Sequence, residues 1–136
     1  MERPIIHDTF RLSKPSVPAP AADIPVADDL RDTLLANRAS CVGMAANMIG
    51  KNVRIIVFLQ MGTPAEMFNP KIVSHTGPYE TTEQCLSVPG SHNVTRYREI
   101  NVEWQDRNFK THRSRFVGLS AQIIQHEVDH LEGILV

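Results

Sequence analysis

The chain has 136 residues, 42% apolar and 21% charged, with a formal net charge of −1. That length suits one domain with a real core, expected to span residues 1–136. The near-neutral balance excludes a global electrostatic drive toward nucleic acid or an anionic membrane, and no apolar run approaches the length of a membrane span.

The first ten residues mix charge and apolar groups without the apolar centre of a signal peptide, so the expected location is the cytoplasm. Pro15, Pro18, Pro20 and Pro25 predict an extended, stiff segment over residues 14–25. Pro25 also suits a first helical turn, with Asp28 and Asp29 near the positive end of the helix dipole. Val26, Leu30 and Leu34 then recur every four residues, with Leu35 widening the stripe. They predict a helix over 26–38 that covers a sheet.

Gly43, Ala45, Ala46 and Gly50 make 41–50 read as a tight loop leading into a strand. Val53–Leu59 is β-branched and predicts a buried strand. A second strand region, Met67–Val73, is interrupted at Pro70 and so belongs at an edge or a bulge. Val88-Pro89-Gly90 turns the chain. Residues 98–105 and 109–117 predict a hairpin around Asp106-Arg107-Asn108. The six Lys/Arg between Arg96 and Arg115 are interleaved with Glu99, Glu103 and Asp106, as in a solvated hairpin. A helix over 119–131 follows, stopped by Gly133 and apolar on several faces, so it should be buried nearly all round.

That last helix carries His126-Glu127-Val128-Asp129-His130. Two imidazoles one turn apart can grip one metal ion, and the adjoining glutamate can handle a proton. A catalytic site needs a third protein ligand and an open position. Cys85 is the best candidate, although a small buried apolar role is equally open to a free cysteine. With a cytoplasmic setting, Cys41 and Cys85 are expected to be thiols rather than a disulfide.

Glu83-Gln84-Cys85-Leu86-Ser87 resembles the Glu-Gly-Cys-Leu-Ser motif of the peptide deformylases, and Gln125–Gly133 resembles their metal helix. Cys41–Met48 resembles their Gly-x-Gly-Leu-Ala-Ala-x-Gln loop, with smaller echoes at Asn69–Ile72 and Val88–Gly90. The motifs stand in family order from about residue 10 onward. The resemblance implies an α+β fold, with small antiparallel β-sheets around a central C-terminal metal-binding helix and an N-terminal covering helix. It implies Cys85, His126 and His130 as ligands of one divalent ion, Fe(II) or Zn(II), with Ni or Co as substitutes. Water would fill the fourth position, and Glu127 would take its proton and later pass it to the leaving amine. The substrate implied is an N-formylmethionyl peptide. The Leu86 backbone N–H would face its developing oxyanion, and the Val42-Gly43-Met44 backbone would pair with it as an added strand. Asp129 would orient the site through Arg96.

Three positions depart from the family pattern. Met48 replaces the glutamine of the first motif, whose amide donates to the oxyanion; Cys41 replaces its first glycine, and Gln84 replaces the glycine of the second motif. A thioether donates no hydrogen bond. Asn47 is expected to point the other way and not to substitute. The C-terminal helix of many members is not in this sequence, which leaves ribosome association through such a helix unsupported; no direct nucleic-acid or membrane partner is expected. The expectation is therefore a deformylase with weakened turnover. The alternative is a catalytically impaired protein that binds metal and peptides, favoured by Met48, Cys41 and Gln84. A zinc peptidase read from His126, Glu127 and His130 alone fits less well with Cys85 as third ligand.

Overall fold

The computed structural model describes residues 1–136. A single turn of helix, α1 (Thr9–Leu12), opens it, with the Asp8 carboxylate accepting from the Phe10 and Arg11 N–H groups. Residues 14–25 run extended only in part: Val17 bridges to Val53, and Ala21–Asp23 form a 3₁₀ turn. That turn feeds α2 (Ile24–Ala36), which begins two residues before the predicted helix because Pro25 occupies its first turn. Val26, Leu30 and Leu34 form its buried face, as their spacing requires.

Five strands follow: β1 (Gly43–Ala45), β2 (Ile55–Gln60), β3 (Thr63–Gln84), β4 (Ser91–Gln105) and β5 (Thr111–Val117). They pair in chain order, every neighbour antiparallel, so the expected strands join into one continuous meander. The last helix, α3 (Gly118–Leu131), packs against it. No helix is long and apolar enough to cross a membrane.

β2 shows why the run Ile55–Phe58 is apolar throughout. Ile55 and Val57 face one core with Leu30 and Leu34 of α2, whereas Ile56 and Phe58 face a second core with Ile124 and Leu131 of α3. A strand covered on both sides loses its polar alternation. Burying two such faces is the main favourable contribution to folding.

Pro70 does not end its strand. The β3–β4 register shifts between Phe68 and Lys71 and again between Ile72 and Ser74, which is the bulge a missing N–H demands. Residues 41–50, expected as a loop, instead form the edge strand β1 and a 3₁₀ turn at Ala46–Ile49. The predicted β4–β5 hairpin is present, and Asp106 Oδ1 holds its turn by accepting from the N–H groups of Asn108 and Lys110. The sequence does not predict the long outer arms of β3 and β4, since their exposed faces carry no apolar alternation.

Candidate metal centre

α3 sets His126 and His130 one turn apart, with ring centroids 4.8 Å apart and Nε2 atoms 3.1 Å apart. Cys85 directly follows β3, and its Sγ lies 3.3 Å from His130 Nε2. One donor atom from each of the three side chains lies within 4.8 Å of the others. A thiol and two imidazoles converging in this way fit one divalent cation by donor type and spacing. The tautomer fits as well. His126 Nδ1 lies 2.7 Å from Glu83 Oε1, so Nδ1 carries the proton and the Nε2 lone pair turns toward Cys85 and His130.

Glu83 is the residue that sequence reasoning missed. In the sequence it is one member of a motif, with no role of its own. Its carboxylate also accepts from Arg96 Nη2 at 2.7 Å and Gln122 Nε2 at 2.9 Å. Arg96 in turn donates through Nη1 to Asp129 Oδ2 at 2.7 Å. The guanidinium is buried and clamps β3, β4 and α3 together, so Asp129 and Arg96 reach the centre through Glu83. Burial raises the Glu83 pKa, but hydrogen bonds from His126, Arg96 and Gln122 outweigh it and hold the group at about 2. The lowered pKa means that its stabilisation is full above its ordinary value of 4.5 and is lost as pH falls toward 2. The available signal was strand alternation: Glu83 stands two residues before Cys85, on the same face. Glu83→Gln should weaken metal affinity about ten- to a hundredfold, read by chelator competition.

Beside these groups lies a cavity of about 350 Å³ whose lining includes Val42, Gly43, Met48, Cys85, Leu86 and Glu127. Glu127 is buried, and its Oε1 has no hydrogen-bond partner. Burial chiefly, opposed by attraction to His126, lifts its pKa to about 7.

Of the expected peptide-binding residues, Val42 and Gly43 line the cavity, while Met44 is wholly buried in the α2 core and offers only its backbone. β1 is the terminal strand of the sheet, so its outer edge has no strand partner. Gly43 does not have a positive φ, so backbone freedom does not account for the glycine. A Cβ there would stand 2.7 Å from Ile123 Cγ2 and 2.9 Å from Glu127 Oε2, so glycine is needed for close approach. Gly43→Ala should cost about 1–3 kcal/mol in a denaturation measurement, because strand or helix must shift.

Met48 lines the cavity and is buried, its Sδ 3.5 Å from the Ala45 N–H. Asn47 does turn away, donating through Nδ2 to the His130 carbonyl at 2.8 Å. The Cys41 thiol lines the cavity and donates to the Gly43 carbonyl at 2.9 Å. Burial first, then the Glu127 charge, pushes its pKa up to about 12, so it stays a neutral thiol. Gln84 lines the cavity too, its Nε2 donating to Ser91 Oγ.

Comparison with known proteins identifies the family. Residues 5–136 match the family model described as polypeptide deformylase. The chain is 48% identical to a peptide deformylase of Clostridium beijerinckii over 136 residues, all of both chains. A crystal structure of a peptide deformylase from Legionella pneumophila superposes with a TM-score of 0.89 at 35% identity, covering 99% of this chain and 83% of that one. A Met-Ala-Ser-bound class I type b peptide deformylase from Acinetobacter baumannii has a TM-score of 0.89 at 27% identity, covering 99% and 97%. The motifs, the fold and the full-length relative lead to one conclusion: this chain belongs to the polypeptide deformylase family, metal-dependent hydrolases that remove the N-formyl group from peptides.

Proposed function

We propose that the 136 residues work as one domain in the cytoplasm, removing the formyl group from N-formylmethionyl nascent peptides, with Cys85, His126 and His130 holding one divalent ion. The convergence of those three donors beside a buried carboxylate carries this reading. Ferrous iron or zinc suits the mixed thiolate and imidazole set, with nickel or cobalt as substitutes. When bound, the ion supplies Lewis acidity and lowers the pKa of water.

Glu127 accepts the proton of the attacking water and passes it to the leaving amine. Its burial, which favours the neutral form, suits a group that must hold the proton before passing it on. The Leu86 N–H, on the cavity wall, donates to the oxygen of the formyl group as it becomes anionic. The free edge of β1 at Val42-Gly43-Met44 takes the peptide as an added strand and aligns its first residue with the cavity. Arg96 and Asp129 keep Glu83, and through it His126, in place.

The test is metal-quantified deformylation of a formyl-methionyl peptide without oxygen, because a thiolate beside ferrous iron invites oxidation. One ion per chain and measurable hydrolysis are expected. Cys85→Ala should lower occupancy and thermal stability together. A Cys85→Ala protein that keeps full occupancy at unchanged affinity overturns the ligand set. Met48 favours a second reading, a metal- and peptide-binding protein with no useful turnover, since its thioether replaces a donor. Full metal loading and peptide binding without hydrolysis would select it.

A further inference from the structure

A second cavity, of about 230 Å³, is lined by Arg11, Lys14, Asn47, Gly50 and Asn52 and shares no residue with the cavity at the metal centre. None of its lining residues is apolar and none is acidic. Arg11 and Lys14 form no ion pair, although most arginines of the chain do. The Lys14 ammonium lies over the Phe10 ring, 4.9 Å from the centroid. Two cations around one hollow repel each other, and an anion between them turns that repulsion into attraction.

We propose that this cavity binds a phosphoryl group, as free phosphate or as a phosphate monoester. The planar guanidinium of Arg11 matches two phosphate oxygens at once, and Lys14 adds a point charge. Gly50 keeps the space that this needs. Its φ is +85°, and a Cβ there would meet Arg11 Nη2 at 3.0 Å. Asn52 is fixed as wall, donating to the Pro15 carbonyl and accepting from Ser16 Oγ. Asn47 is 5% exposed, with Nδ2 committed to the His130 carbonyl and Oδ1 without a partner. That Oδ1 is closed off from solvent, so Asn47 serves as wall and the two cations carry the recognition.

The experiment is an amide-shift titration of the zinc-loaded protein with sodium phosphate and, separately, glycerol phosphate, at ionic strength held constant with sodium chloride. Saturable shifts at Asn47, Gly50 and Asn52 are expected with either ligand. A monoester that binds more tightly assigns the site to esters, and equal binding assigns it to free phosphate. Arg11→Gln with Lys14→Gln should weaken binding about tenfold or more while leaving deformylation unchanged. Both side chains are exposed and neither has an ion pair to lose, so the variant should fold. Shifts reproduced by sodium chloride alone, or phosphate binding undiminished in the double variant, would overturn the proposal.

Discussion

Met48→Gln should speed deformylation by roughly a hundred- to a thousandfold, the factor that one oxyanion donor supplies when present. Met48 lines the cavity with Cys85, Leu86 and Glu127, so a side-chain amide there stands beside the reacting group. Methionine and glutamine are close in volume, and the exchange neither opens a hole nor overfills the wall. The Met48 sulfur now takes the Ala45 N–H at 3.5 Å. A glutamine Oε1 can accept that bond instead, which turns Nε2 outward as the donor. The gain should appear in kcat rather than KM, because the new bond strengthens only as the carbonyl oxygen becomes anionic. A fully metallated variant no faster than the parent would move the weight to the binding-protein reading, with Cys41 or Gln84 then the feature that deforms the peptide groove.

Glu127→Gln should lower hydrolysis by about a hundredfold or more at matched metal content, since shape is kept and the base is removed. It also makes a stability prediction independent of turnover. Burial raises the Glu127 pKa from 4.5 to about 7, so between those values the folded state binds more protons than the unfolded chain. Stability from this group therefore falls as pH rises through that window. Chelator-treated Glu127→Gln should accordingly exceed the parent in stability at pH 8, with the gap closing below about pH 4.5. Equal rates for variant and parent, or a stability gap that ignores pH, would remove Glu127 from its role.

Much of this is legible in the chain itself. The four-residue recurrence of Val26, Leu30 and Leu34 specifies a buried helical stripe, and the same geometry sets His126 and His130 on one face of α3. Asp106-Arg107-Asn108 specifies its turn through a short carboxylate that bonds its own backbone. Each is a local property, encoded within one or two turns of chain. The outer arms of β3 and β4 were illegible because exposed strands need no apolar period.

The sequence alone determined the two long helices, the β4–β5 hairpin, the family motifs and the residue types able to hold a metal. Tertiary structure alone decided what those residues meet. Cys85 reaches His130 across 45 positions of sequence only because β3 ends beside the C-terminal half of α3. Glu83 becomes the anchor of His126, Gly43 becomes a close-approach position, and Met44 retires into the core for the same reason. Periodicity states which way a side chain points; the partner standing there is set by the packing of elements distant in sequence.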